Sequence, residues 1–156
     1  MFRKMRRFKQ QLSEEECLEI LRTAKRGVLA VLGDEGYPYA VPLDFVYEDG
    51  KIYFHCAKEG HKLDAILQEP KCSFCVLSDG VPEPDSWWFH FSSVISFGKI
   101  AILEDPEAVR EKLILLGRKY MPTEAEIQAD IIKNGPKAYV LELTIEHMTG
   151  KRVKEN

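Results

Sequence analysis

Ile52-Tyr53-Phe54-His55-Cys56-Ala57-Lys58-Glu59-Gly60-His61-Lys62 decides how this chain is read. Aromatic and β-branched residues open it, which suits a strand. A turn containing Gly60 follows, and residues 61–68 read as a short helix closed by Glu69-Pro70. The first N–H groups of a helix have no intrahelical partner, and the helix dipole favours negative charge beside them. A strand, a glycine turn and a helix opening on Lys62 therefore make a candidate anion site, for a phosphate above all. His55 and Cys56 stand at the strand end, where the rest of a phosphorylated ligand would lie. Taken alone the segment carries little weight, because many strands end this way and bind nothing. Its neighbours raise it.

Upstream, Ser13-Glu14-Glu15-Glu16 is a capping box, and the apolar spacing after it predicts a helix over 14–25. Val28 to Leu32 is a continuous apolar run that suits a buried strand. Gly33-Asp34-Glu35-Gly36 is a turn, a second strand covers 38–47, and Glu48-Asp49-Gly50 is a hairpin turn leading to a third strand over 51–56. Downstream, Cys72 to Leu77 is a fourth strand, and 78–86 form a loop with Pro82 and Pro84. Residues 87–103 are one long strand bent at Gly98, or two strands. Pro106 opens a helix carrying Val109, Leu113, Leu116 and Tyr120, and Thr123-Glu124-Ala125-Glu126 caps another to about Lys133. Asn134-Gly135-Pro136 breaks it, and 139–145 form a last strand. About six strands joined by tight turns, with helices between some of them, predict a mainly β (α+β) antiparallel barrel with flanking helices.

The 156 residues suit a single domain over 1–156, with 1–12 as a basic arm holding Arg3, Lys4, Arg6, Arg7 and Lys9. The arm reads as a solvated segment. No apolar core follows it as in a secretory signal, so the expected location is the cytoplasm. An apolar content of 45% and a charged content of 30% are those of a soluble globular protein, and a net charge of −3 does not suggest a nucleic-acid binder. No stretch is long and apolar enough to span a bilayer. Cys72 and Cys75 have CxxC spacing, but in a strand residues three apart face opposite sides, and no second pair completes a zinc site. No metal site is expected. Cys17, Cys56, Cys72 and Cys75 read as reduced thiols.

The order Tyr37-Pro38-Tyr39-Ala40-Val41-Pro42-Leu43-Asp44-Phe45, then the opening segment, then Glu69-Pro70-Lys71-Cys72-Ser73-Phe74, resembles the pyridoxamine 5′-phosphate oxidase-like flavin proteins, and most of all their nitroimidazole-resistance (NimA-like) branch. Ser92-Ser93-Val94 and Leu103-Glu104-Asp105-Pro106 share the likeness, which covers about residues 3–147. The resemblance implies an FMN-binding split β-barrel, a homodimer with FMN at the subunit interface, and an oxidoreductase that passes electrons to a small acceptor such as a nitroaromatic compound. The implied donor is a reduced nicotinamide or another electron donor; with no dinucleotide fingerprint present, NAD(P)H would bind only transiently.

The same resemblance implies a set of FMN contacts: Tyr39, Ala40, Val41, Pro42 and Leu43 on one strand, His55 and Cys56 on the next, His61 and Lys62 at the phosphate, and Ser93 and Val94. His55 is the candidate proton donor, with a hydrogen-bonded structural histidine as the even alternative. Cys56 reads as a small filler before a redox thiol. Classical oxidases of pyridoxamine phosphate carry arginine near Ala40 and lysine near Phe45; both are missing, which argues against that substrate. Relatives often have arginine at His61 and at Ser92. Trp87 or Trp88 is a candidate cover for the ring, with core or interface packing an equal alternative, and His90 and His147 have no evident partner in the sequence. Two other readings stay open: a flavin-binding sensor or carrier without turnover, and a haem-binding barrel.

Overall fold

The computed structural model describes residues 1–87 and 89–153. Ser13 caps α1 (Glu14–Thr23): its Oγ accepts from the Glu16 amide at 3.2 Å, and its own amide donates to the Glu16 carboxylate at 2.9 Å. The helix stops two residues before the expected end, where Ala24 turns extended. Then come β1 (Arg26–Leu32), β2 (Pro38–Asp44), β3 (Val46–Glu48), β4 (Lys51–Ala57), α2 (His61–Gln68) and β5 (Lys71–Leu77). A two-residue β6 (Val81–Pro82), β7 (Phe89–Ile102), α3 (Pro106–Tyr120), α4 (Glu124–Asn134) and β8 (Ala138–Val153) complete the chain.

All pairings are antiparallel, in the order β2-β1-β5-β7-β8-β4-β3, with β6 on β7. The two outermost strands, β2 and β3, are joined by Phe45 alone. One residue cannot bridge the width of a flat seven-strand sheet, so the sheet must curl until its edges meet. That is the split barrel. Phe45 is the corner and is fully buried. A buried backbone needs partners, and α3 supplies them. The Phe45 amide donates to the Tyr120 hydroxyl at 2.8 Å, and the Lys119 ammonium donates to the Phe45 carbonyl at 2.9 Å.

Inside the curl, Leu29, Phe45, Ile52, Phe54, Phe74, Val76, Val94, Ile100, Leu141 and Leu143 form the core. Phe74 meets Phe45 and Phe54 edge-on at 4.9 and 5.0 Å. A second, smaller cluster joins Val46, Tyr53 and Val140 to Leu116 of α3, on the far side of β4 and β8.

The count of about six strands was short of the eight observed among the described residues. The 38–47 run is broken at Phe45, and the 78–86 loop contains β6. β7 is one strand, with its register shift between Phe97 and Gly98 as the bend expected there. A Cβ on Gly98 would lie 2.0 Å from the Thr144 carbonyl oxygen, so only glycine fits this crossing. β8 runs eight residues past the expected Ile145, because β7 pairs with it as far as Val153. Among the described residues no helix is long and apolar enough to cross a membrane.

Candidate functional site

Gly60 starts α2 with φ 130°, open space where a Cβ would be, and no side chain to cap the helix. Its carbonyl takes the amides of Leu63 and Asp64 at 3.0 and 3.1 Å, which leaves the first amides of the helix without intrahelical partners. Lys62 stands here half-buried, and among the described residues it makes no ion pair. Asp64 in the same turn is exposed and works against an anion.

His61 is engaged elsewhere. Its ring stacks on Tyr39 at 4.1 Å, and its Nε2 takes the Asp34 amide at 3.2 Å, with the Asp34 carboxylate at 3.7 Å. An imidazole that accepts there braces the β1–β2 turn and is neutral at Nε2, an assignment that follows from the bonding pattern. Lys62 is therefore the cation of this helix start.

Strand alternation distributes the other candidates over different faces. Tyr39, Val41 and Leu43 pack toward the core, whereas Ala40 and Pro42 are exposed on the outer face of the sheet. Val94 is fully buried inside, and Ser93 lies outside. Cys56 points inward and is buried; its thiol is pushed up by burial, an effect the nearby Lys62 partly offsets. A thiol held protonated is a packing group, not a reactive one. Cys17, Cys72 and Cys75 are likewise free and raised by burial, Cys72 to about 12.

The outer face is a largely apolar plain. Pro42, Val28, Cys75, Ile95 and Thr149 sit in one register row across five strands, and Ala40, Ala30, Ser73, Phe97 and His147 sit in the next. Val28 is 39% exposed, and Ile95 and Phe97 are each 38% exposed. Phe2 of the basic arm lies on its β8 side, stacked on His147 at 4.5 Å and 5.5 Å from Phe97. His147 thus has a partner the sequence did not show. So does His90, which pairs with Glu83 and sets Nδ1 3.3 Å from the Val153 carbonyl oxygen. Trp87 is exposed just before β7, and Trp88 lies outside the described residues.

His55 faces the opposite way from Cys56. It is exposed toward α3 and α4 and lines a cavity of about 390 Å³ beneath that hairpin. Leu113, Leu116, Met121, Ile127 and Ile131 form its apolar wall. Asp44, Tyr120, Asp130 and Asn134 add polar groups. Asp44 holds the Arg26 guanidinium at 2.7 Å, and Asp130 accepts from the Asn134 amide at 2.6 Å. The hairpin closes because α3 carries Gly117, where a Cβ would lie 2.8 Å from the Ile127 side chain. These hairpin residues were absent from the sequence-based site: on α4, Asp130 and Asn134 look like part of a solvated helix face. Their signal was the adjacent Ile127 and Ile131, which give that helix a partly buried side. Among the described residues no three metal-ligating side chains cluster.

The pattern of the family described as pyridoxamine 5′-phosphate oxidase matches residues 13–152. No curated protein matches the chain. Several solved structures share the fold. The candidate 5-nitroimidazole antibiotic resistance protein of Bacteroides thetaiotaomicron is 22% identical, with a TM-score of 0.75 over 93% of this chain and 90% of that one. A protein from Mycobacterium smegmatis described as FAD- and haem-binding is 25% identical, with a TM-score of 0.79 over 94% of this chain and 74% of its own. A protein of Mesorhizobium loti described as FAD-binding is 21% identical, with a TM-score of 0.68 over 92% of this chain and 97% of that one.

Proposed function

This chain belongs to the pyridoxamine 5′-phosphate oxidase family, and we propose that it is a cytoplasmic FMN-dependent oxidoreductase. It works as a homodimer and reduces a small organic acceptor, such as a nitroaromatic compound, at the expense of a transient NAD(P)H. The observation that carries this reading is the start of α2: an uncapped helix N-terminus, a glycine that leaves room beside it, and Lys62, which makes no ion pair among the described residues. Those residues fit a phosphate. FMN, whose single phosphate is terminal, is the flavin proposed here, although two of the neighbours above are described as FAD-binding.

Each group then has a task. Lys62 and the first amides of α2 hold the phosphate. Backbone along Tyr39–Leu43 and the Ser93 hydroxyl flank the cofactor, and the outer apolar plain supplies the second copy that closes it in. Bound flavin supplies two-electron transfer between donor and acceptor. His55 gives a proton from a ring nitrogen to the reduced acceptor. The missing basic residues at Ala40 and Phe45 argue against pyridoxamine phosphate as the substrate, because a second phosphorylated ligand would want those charges.

Fluorescence titration with FMN, FAD and riboflavin tests the reading. The wild type should bind FMN about ten- to a hundredfold more tightly than riboflavin, as a hydrogen-bonded charge pair of ~1.5–3 kcal/mol implies. Lys62→Ala should erase that preference with the fold intact. Equal affinity of the wild type for FMN and riboflavin would remove the phosphate site, and no flavin binding at all would remove the oxidoreductase.

A further inference from the structure

The cavity beneath the α3–α4 hairpin lies on the opposite face of β4 from Cys56, so it is separate from the phosphate locus near Lys62. We propose that it is a ligand pocket in its own right, which takes a flat organic molecule that is neutral or cationic and turns away anions.

Size comes first. About 390 Å³ is room for a one- or two-ring molecule, within the range of small-ligand sites. Lining comes second. Gaps under helix hairpins are often plain packing defects, walled by hydrocarbon alone. Here an apolar wall meets an imidazole, two carboxylates and a carboxamide, which is the composition of a recognition site.

Charge decides the class. The Asp44 carboxylate is matched by Arg26 at 2.7 Å. Asp130 has only the neutral amide of Asn134, and no lysine or arginine side chain lines the cavity among the described residues. Two ammoniums stand near the cavity's Tyr120 ring, those of Lys25 at 5.4 Å and Lys119 at 5.7 Å, on the wall away from Asp130's helix, and each donates to a backbone carbonyl, Lys25 to that of Lys119 and Lys119 to that of Phe45, both at 2.9 Å. The cavity therefore carries unmatched negative charge on one wall. A ligand carboxylate or phosphate would meet it without a counter-charge, while a cation or a neutral ring would not. His55, on the strand side, is the group that can hand such a ligand a proton.

The test is methyl-detected NMR of the purified protein with isoleucine, leucine and methionine methyls labelled. Three probes of one shape are titrated: para-nitrobenzyl alcohol, para-nitrobenzylammonium and para-nitrobenzoate. The neutral and cationic probes should shift the methyls of Met121, Ile127 and Ile131, and bind at least about tenfold more tightly than the benzoate, ~1.4 kcal/mol. Asp130→Lys should invert the order of the two charged probes. Ile131→Trp, which fills the cavity, should weaken all three about tenfold, and FMN affinity should stay unchanged in both variants. Should Ile131→Trp not fold, the inversion by Asp130→Lys decides alone. Shifts confined to Ile95 of the outer face, benzoate binding as tightly as the ammonium, or no shifts at all would overturn the proposal. Probe binding here in a protein that takes up no flavin would keep the pocket and discard the oxidoreductase.

Discussion

β1, β5 and β7 present two apolar faces, and the two have different fates. Inward, Leu29, Phe74 and Val94 are fully buried. Outward, Val28, Ile95 and Phe97 stay about two-fifths exposed, in register with Cys75, Ala30 and Pro42. An antiparallel sheet with one solvated face normally alternates apolar and polar residues. A sheet apolar on both sides is built to be covered on both, and contiguous exposed patches of this kind mark interaction surfaces. The inner face makes the fold within one chain. The outer face is where a second copy would complete the molecule.

That contrast can be broken, starting from its strongest side. Phe74→Ala empties the junction of three aromatic rings and should cost about 3–5 kcal/mol, read as loss of cooperative unfolding or a large drop in the denaturant midpoint. Ile95→Asp, two strand positions from Phe97 on the outer face, should change the stability of the isolated chain by only about 0.5 kcal/mol. It should instead keep the proposed dimer from forming in sedimentation and, with it, weaken FMN binding. If Ile95→Asp unfolds the chain as Phe74→Ala does, the two faces are not different in kind.

The seam sharpens the comparison. The Tyr120 hydroxyl accepts from the Phe45 amide and reaches the carbonyls of Phe45 and Lys25 at 2.7 and 2.6 Å, donating to one of them at a time. Tyr120→Phe leaves a buried amide unpaired and should cost about 1–3 kcal/mol in chemical denaturation, without changing the proposed dimer's sedimentation.

The smallest effect is on pH. Lys119 is held down to about 8, first by burial and then by Lys25. Between about pH 8 and 10 the unfolded chain binds this proton and the native chain does not, so this group's contribution to stability rises with pH. The four thiols run the other way. Burial raises all of them, so above about pH 8.5 the unfolded chain loses protons that the native one keeps, and stability falls. Removing the lysine in Lys119→Met should therefore steepen the alkaline loss of stability, measured by denaturation at stepped pH. An unchanged loss would put the Lys119 ammonium in water and not at the seam.

Local signals carried much of this fold into the sequence. Ser13 with Glu16, and Pro106 after Asp105, mark helix starts by bonds made within four residues, and both were legible. The start of α2 was legible for the same reason. The corner at Phe45 was not, because an apolar residue in an alternating run gives no sign that the strand changes edges; only Tyr120 and Lys119, some 75 residues away, reveal it. The far half of β8 is mixed in polarity and owes its strand to β7. The site divides likewise. Lys62 belongs to a local motif, whereas the cavity at His55 exists only once α3 and α4 pack over β4. The separation of His55 from Cys56 follows from alternation alone and was readable from their adjacency.

The most direct measurement is sedimentation velocity of the purified protein with added FMN, followed in the visible flavin band. A flavin-binding dimer should send that absorbance down with a single species of twice the chain's 17.9 kDa. Flavin moving with the monomer would leave the outer face without its second copy, and flavin remaining unsedimented would contradict the account at its centre.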